Sequence, residues 1–228
     1  VLKMQYTMPH FMGYRFALFN YATKETEGYV DFDYFKIEDK ISDCRWADVC
    51  YADDELEGHK LDIYLPDTGK SSHKVVVLIY GSAWFANNMK QNAFQVFGRS
   101  LLDKGFAVVS INHRSSRDAK FPAQINDVKA AIRFIRANAA KYKLDTSFIG
   151  ITGFSSGGHL ASLAGTTNGV KSYTIGDKTV DLEGNVGEYF SFSSRVDAVV
   201  DWFGPIDMTR MENCNTTKGA NSPEAALI

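Results

Sequence analysis

The stretch Gly153-Phe154-Ser155-Ser156-Gly157-Gly158 lies between two segments with different patterns. Before it, residues 148–152 are apolar enough for a buried strand, and after it the residues through Leu163 predict a short helix. A serine at a tight strand-to-helix turn adopts a strained backbone conformation, and glycines beside it let neighbouring segments approach closely. The sequence therefore predicts that the Ser155 hydroxyl stands above the carboxyl end of a sheet.

Strand and helix patterns alternate on both sides of this turn. Apolar runs predict buried strands at residues 75–80, 106–111 and 196–203. Helices are predicted over residues 92–104 and from Pro122 onward, where apolar positions recur with a period of about 3.6 residues. Residues 60–65 alternate and end at a proline, which predicts an outer strand, and residues 166–194 are predicted to form a long surface loop. This order predicts an α/β fold with a mostly parallel sheet and helices on both faces.

Composition bounds the classes of function. The 228 residues are 45% hydrophobic, which fits one large α/β domain over residues 46–228, with residues 1–45 as an aromatic-rich extension or cap. The net charge of −2 and the lack of a basic run argue against a nucleic-acid partner. No apolar stretch approaches the roughly 20 residues of a membrane span. The three cysteines lack metal-ligand spacing, and no metal or organic cofactor is implied.

A second motif, Tyr80-Gly81-Ser82-Ala83-Trp84, follows the first central strand. Small residues at such a turn can present backbone amides to an oxyanion, and the amide of Ser156 at a helix N-terminus points toward the same place. Paired with a serine turn two strands later, the motif predicts an acyl-transfer site. Ser155 is the predicted nucleophile of that site.

These motifs resemble the carboxylesterases of the α/β-hydrolase fold, in the group related to hormone-sensitive lipase. Within that group the chain is most similar to bacterial feruloyl and acetyl-xylan esterases. The resemblance covers about residues 45–212 and rests on residues 77–84, 110–114, 121–131, 153–161 and 199–205.

The resemblance implies a role for each site residue. Ser155 would attack the ester, and the amides of Ser82, Ala83 and Ser156 would hold the oxyanion. The group usually carries His-Gly-Gly-Gly-Trp at the oxyanion turn, whereas here Tyr80 stands in place of the histidine, and Ser82 and Ala83 replace glycines. Backbone amides survive such replacements. The implied substrate is a short acyl, acetyl or feruloyl ester, either a small molecule or one linked to a plant polysaccharide, and no cofactor is needed.

The catalytic base is not evident in the sequence. A serine nucleophile needs a base to take its proton and an acid to orient that base. The only histidine after Ser155 is His159, one turn into the following helix, where we expect a structural role. His113, near the top of a strand, is expected to be a pocket-wall or satisfied polar residue. Asp201 and Asp207 flank the last strand, but neither is nominated as the acid.

The end of the sequence carries a helix-start signal. Ser222 suits an N-cap, Pro223 the first helical position, and Glu224 the positive end of the helix dipole. The resemblance implies two more strands that carry the acid and the histidine. We therefore expect that the C-terminal strands of the fold are missing here, either because the chain is truncated or because a second chain supplies them.

Two other functions fit the same serine turn. A serine peptidase of the prolyl-oligopeptidase type shares it, and activity on aminoacyl amides would distinguish that enzyme from an esterase. A catalytically incomplete fragment or binding module would keep the fold without the activity, and its serine would not react with a fluorophosphonate. Compartment and oligomeric state cannot be read from the sequence.

Overall fold

The computed structural model describes residues 45–213 and 219–228. The chain divides into two units at Lys40/Ile41, and all described residues belong to the second. The predicted extension or cap over residues 1–45 lies, except for Arg45, outside the described residues.

Eight strands and five short or medium helices make up the described part. The strands are β1 (Trp46–Cys50), β2 (Lys60–Tyr64), β3 (His73–Ile79), β4 (Ala107–Ile111), β5 (Leu144–Phe154), β6 (Ser172–Ile175), β7 (Lys178–Asp181) and β8 (Ala198–Trp202). The helices are α1 (Lys90–Ala93), α2 (Arg99–Asp103), α3 (Ala123–Ala137), α4 (Ser156–Thr166) and α5 (Pro223–Leu227). Short stretches of 3₁₀ helix lie at Glu57–His59, Met208–Asn213 and Gly219–Asn221.

Six strands form one sheet in the order β1-β2-β4-β3-β5-β8. The strands β4, β3, β5 and β8 run parallel to one another. β2 is antiparallel to both of its neighbours, β1 and β4. The predicted mostly parallel sheet is confirmed. Because the four parallel strands all end at the same edge, the turns after β3, β4, β5 and β8 meet there.

Both faces of the sheet are covered by helices. Apolar side chains of α3 and α4 pack on one face, among them Ile125, Ile132 and Leu160. The segment around α1 and α2 packs on the other face through Phe94 and Leu102. The central strand β3 is buried along almost its whole length, as its unbroken apolar sequence predicts. Among the described residues, no helix has the length and apolarity that crossing a membrane requires.

The prediction that residues 60–65 form an outer strand is wrong. β2 is the second strand of the sheet, because β1 pairs with its free side. The pattern of β1 was hard to read because its register shifts between Trp46 and Val49 and Asp48 has a positive φ of 53°.

Two further predictions need correction. The helix predicted over residues 92–104 begins at Lys90 and is interrupted by a π-helical turn, Phe94–Gly98, between α1 and α2. The long loop predicted over residues 166–194 contains an antiparallel hairpin of β6 and β7, whose side chains are mostly exposed. Each of these strands has only four residues, which is short for an alternating pattern to predict a strand. The predicted helix start at Ser222 is confirmed, since its hydroxyl accepts a hydrogen bond from the Ala225 amide at 3.3 Å.

Candidate active site

Ser155 is the single residue that joins β5 to α4. Its backbone has φ 54° and ψ −127°, a conformation that costs a non-glycine residue about 1–3 kcal/mol. Its amide donates to the Trp202 carbonyl at 3.0 Å, and its carbonyl accepts from the His159 amide at 3.1 Å. The sequence prediction of a strained serine between a strand and a helix is confirmed in its geometry.

Glycines bring three backbone segments together around this serine. A Cβ atom on Gly81 would lie 2.6 Å from the Phe154 carbonyl oxygen and 2.7 Å from the Ser155 Cβ. A Cβ atom on Gly157 would overlap the carbonyl oxygens of Ile79 and Tyr80. The turn after β3 therefore lies against Ser155 at a separation that no larger residue would allow.

The turn after β3 has an unusual backbone. Ala83 and Trp84 both have positive φ, 51° and 60°, at positions where a left-handed conformation costs an L-residue roughly 1–2 kcal/mol each. The Tyr80 hydroxyl donates to the Ala86 carbonyl at 3.0 Å, and the Ser82 hydroxyl accepts from the Ala86 amide at 3.3 Å. The two bonds tie the far end of the turn to its beginning and hold the strained residues in place.

The amide of Ser82 is already engaged in this structure. It donates to the Ser156 hydroxyl at 2.9 Å, and Ser156 itself is buried. Ser82 can therefore serve an oxyanion only if this bond opens. No amide hydrogen bond is recorded for Ala83 within the part of the chain that the structure describes. The oxyanion roles assigned to Ser82, Ala83 and Ser156 stay predictions.

His159 packs against the turn after β3. Its ring meets that of the buried Trp84 edge to face, with centroids 5.3 Å apart. Burial lowers its pKa to about 4, and the charge of Asp201 opposes that shift only partly. Its side chain makes no hydrogen bond to Ser155 among the described residues, which agrees with the structural role expected for it.

His113 is fully buried beneath the same turn. Its ring stacks on that of Tyr80 at a centroid distance of 4.9 Å, and its Nδ1 lies 2.8 Å from the Arg114 carbonyl oxygen. Burial lowers its pKa, so that the ring is neutral at pH 7. It supports the turn rather than facing Ser155.

A buried ion-pair network lies behind His113, and sequence reasoning missed it. Asp127 in α3 is fully buried and accepts the Arg114 amide at 2.7 Å and the Arg114 Nη2 at 2.7 Å. The same carboxylate lies 3.1 Å from Nε2 of His59, whose Nδ1 lies 2.6 Å from Asp54. Asp127 sits between Ile125 and the other apolar positions of α3. A carboxylate on the buried face of a helix predicts a charged partner, because an unpaired buried charge is costly.

The described residues bring no histidine to the Ser155 hydroxyl. His59 is engaged with Asp127, and His73 begins β3 at the opposite end of the sheet. Asp201, at the end of β8, accepts the Ser162 hydroxyl at 2.7 Å and the Gly204 amide at 2.7 Å. Asp207 accepts hydrogen bonds from Thr209 and pairs with Arg210. These contacts give both aspartates a local structural role.

β8 is an edge strand with an apolar surface. It pairs with β5 on one side only, in the part of the sheet that the structure describes. Val200 and Trp202 are 50% and 46% exposed, and Ile206 just beyond the strand is 79% exposed. Edge strands usually carry charges that prevent pairing, and the exposed apolar side chains of β8 depart from that rule.

The chain is similar to known proteins in both sequence and fold. The family profile described as BD-FAE matches residues 61–228, and the profile described as "Beta xylosidase C-terminal Concanavalin A-like domain" matches residues 1–38. Esterase LipQ of Mycobacterium tuberculosis is 34% identical over 139 residues, which are 61% of this chain and 30% of LipQ. The probable carboxylic ester hydrolase LipM of the same organism is 33% identical over 169 residues, 73% of this chain and 36% of LipM. The chain thus spans about one third of these relatives.

Two solved structures are similar along most of the chain. A bifunctional GH43-CE protein from Bacteroides eggerthii is 92% identical, with a TM-score of 0.79, and the match covers 99% of this chain and 32% of that one. A truncated form of a carbohydrate esterase from gut microbiota is 63% identical, with a TM-score of 0.77, over 80% of this chain and 64% of that one.

Proposed function

The chain belongs to the BD-FAE family, and from that premise we propose that it contributes the nucleophile and oxyanion turn of a serine carboxylic-ester hydrolase. The observation that carries the proposal is the strained Ser155 held against the turn after β3. In this proposal the Ser155 hydroxyl and the amides of Ala83 and Ser156 act on one carbonyl group, as acyl transfer requires. Strain at a single serine, maintained by glycine contacts on both sides, is characteristic of a functional position.

The reaction proceeds through an acyl-enzyme. The Ser155 oxygen forms a bond to the ester carbonyl carbon while its proton passes to a base, and the carbonyl oxygen becomes an oxyanion. The amides of Ala83 and Ser156 donate to that oxyanion. When the intermediate collapses, the ester bond breaks and the alcohol leaves with the proton from the base. Water then attacks the acyl-enzyme by the same steps and releases the acid.

The base and its orienting acid belong, in this proposal, to a further polypeptide segment that pairs with β8. The exposed Val200 and Trp202 support this, because a parallel strand laid along β8 would cover them. Such a strand would end near Ser155, since β8 is parallel to β5 and Trp202 pairs with Phe154. A loop after that strand would then lie above the Ser155 hydroxyl.

We propose an acetyl or feruloyl ester of a plant polysaccharide as the substrate. Two similar solved proteins are named as a bifunctional GH43-CE protein and a carbohydrate esterase. The similarity of residues 1–38 to a β-xylosidase domain points to xylan as the polysaccharide. An esterase joined to a xylosidase-type domain would remove side groups from the polymer that the second domain binds.

Two assays test the proposal. A fluorophosphonate should label Ser155 in the wild-type protein and leave Ser155→Ala unlabelled. Hydrolysis of p-nitrophenyl acetate, acetylated xylan and methyl ferulate should be measured in parallel with aminoacyl-amide substrates. The 228-residue chain should be compared with the longer Bacteroides eggerthii protein that it resembles. Ester turnover that depends on Ser155 supports the proposal, whereas a preference for amides would favour a peptidase.

The placement of the base has its own test. Val200→Lys should abolish turnover in the longer protein, because a charge on β8 would oppose strand pairing. Val96→Lys, an exposed residue of the π-helical turn, is the matched control. If the 228-residue chain alone turns over esters as fast as the longer protein, the base lies within this chain and the β8 proposal is wrong. If neither protein acts on any ester, the esterase proposal fails.

A further inference from the structure

A surface cavity of about 380 Å³ opens where the segment after β7 crosses α3. We infer that this cavity is a second carbohydrate-binding site, separate from Ser155, for an oligosaccharide that carries a uronic-acid carboxylate. The inference extends the proposed function, since it supposes that the substrate is a polysaccharide. It rests on two exposed aromatic rings, an excess of positive charge and the position of the cavity on the sheet.

Two phenylalanines form the apolar wall of the cavity. Phe190 and Phe192 are 57% and 41% exposed, although both are large apolar side chains. Their rings are held in place: the Arg133 guanidinium lies 5.3 Å from the centroid of Phe190, and Tyr189 meets Phe192 edge to face at 6.4 Å. A pair of fixed, exposed rings offers the C–H face of a sugar a preformed contact surface.

Positive charge exceeds negative charge at the floor of the cavity. Arg133 is almost fully buried and pairs with Glu183, and the buried Lys129 ammonium lies 3.4 Å from the same carboxylate. Two buried cations thus share one carboxylate. Lys129 lies behind the lining residues, where its ammonium also donates to the Thr167 and Val170 carbonyls at 3.1 and 2.9 Å, and burial lowers its pKa. The Arg133 Nε has no hydrogen-bond partner among the described residues, though it is buried.

Two more cations stand at the rim. Lys171 and Arg195 both line the cavity, and the structure records no side-chain ion pair for either within the described ranges. The one other carboxylate of the lining, Asp181, already accepts the amides of Glu183 and Gly184 at 3.1 and 2.9 Å. The rim and the floor together favour an anionic ligand, and a planar carboxylate suits a guanidinium.

The cavity lies away from the reactive serine. Arg195 precedes β8, and Arg136 of α3 donates to the Thr146 carbonyl near the start of β5. Ser155 follows the end of β5, so at least the length of β8, on the order of 15 Å, separates the two sites. A polymer of several sugar units could contact both, whereas a small ester could contact only the serine.

The test measures binding without hydrolysis. Ser155→Ala protein is titrated in a calorimeter with a xylo-oligosaccharide that carries one glucuronate group and with the same oligosaccharide without it. We expect the acidic ligand to bind about fivefold more tightly at low salt, with the difference shrinking as salt is added. Phe190→Ala should weaken both ligands, and Arg195→Ala should remove the preference for the acidic one. Tyr173→Ala, an exposed aromatic of the hairpin outside the cavity lining, is the matched control and should change neither.

The outcomes separate this inference from the esterase proposal. No binding of either oligosaccharide, or equal loss in Tyr173→Ala and Phe190→Ala, would overturn it. Equal binding of the two ligands would overturn the assignment of a uronic acid. Circular dichroism spectra of the variants should match that of the parent protein, because all three side chains are at the surface. Binding that persists while neither the 228-residue chain nor the longer protein hydrolyses any ester would refute the esterase and leave this site standing.

Discussion

The backbone amide of Ser82 donates a hydrogen bond to the side-chain hydroxyl of Ser156 at 2.9 Å. This bond joins the turn after β3 to the first residue of α4, across 74 positions of sequence. It fixes the two segments that carry the proposed oxyanion amides relative to one another. The Ser156 hydroxyl thus anchors the opposing turn, while its amide is the one proposed to donate to the oxyanion.

Replacing Ser156 by alanine should separate these functions. Ser156→Ala keeps the amide and removes the hydroxyl, so the Ser82 amide loses its acceptor at a partly buried position. We expect the free energy of unfolding to fall by about 1 kcal/mol, the usual value of one such bond. Ser116→Ala is the matched control, because it removes a buried hydroxyl that has no hydrogen-bond partner among the described residues. Urea denaturation of the two variants measures the difference; equal losses would show that the bond is not what stabilises the turn.

The backbone strain at Ser155 predicts that glycine at this position gives a more stable protein than alanine does. Ser155→Gly should be about 1 kcal/mol more stable than Ser155→Ala, because only glycine adopts φ 54° and ψ −127° without strain. Both variants lack the hydroxyl, and both should be inactive. Thermal unfolding of the pair measures the strain directly. An alanine variant as stable as the glycine variant would mean that the turn relaxes once the serine is gone.

Much of this fold could be predicted because its signals are local. The unbroken apolar run of β3 predicted a central strand, and the residues around Ser155 predicted a strand-to-helix turn with a strained serine. The outer strand β1 could not be predicted, because a bulge at Asp48 breaks the alternation on which strand recognition depends.

The parts of the site that could not be predicted depend on contacts between distant residues. The bond between Ser82 and Ser156 involves a backbone amide, which leaves no trace in the residue type. The pairing of His59 with Asp127 spans 68 positions and shows in the sequence only as a carboxylate on the buried face of a helix. Phe190 and Phe192 of the proposed carbohydrate-binding cavity lie within residues 166–194, for which the sequence predicts only a surface loop.

The close packing of β5 against β3 predicts a large effect at one glycine and a small effect at another. A Cβ atom on Gly153 would lie 2.5 Å from the carbonyl group of Gly157 and 2.7 Å from that of Ile79, and neither backbone can retreat. Gly153→Ala should therefore lower the free energy of unfolding by about 3 kcal/mol or more. On the same strand, a Cβ atom on Gly150 would first meet the ring of Phe148, at 3.3 Å. Gly150→Ala should cost about 1 kcal/mol or less. Chemical denaturation of both variants tests the contrast, which a similar loss in the two would contradict.

The contacts of His59 predict how its ionisation affects stability. Burial by itself lowers the pKa of His59, but hydrogen bonds and charge from Asp127 and Asp54 outweigh burial and raise the pKa above its usual value. The folded protein therefore binds this proton more tightly than the unfolded chain does. The resulting stabilisation is complete below the unfolded pKa of about 6.5 and disappears as the pH rises through the folded pKa.

Unfolding in urea at pH 6 and at pH 9 measures the contribution of the His59 charge to the free energy of unfolding. The wild type should lose more stability between the two pH values than His59→Gln, which keeps a hydrogen-bonding side chain without the charge. Asp54→Asn should lower the titration midpoint of His59 in NMR spectra, because it removes a carboxylate 2.6 Å from Nδ1. His159 provides an internal contrast in the same spectra, with a midpoint of about 4. A His59 midpoint below 6.5 would show that burial outweighs the two carboxylates, and the expected loss of stability at high pH would then be absent.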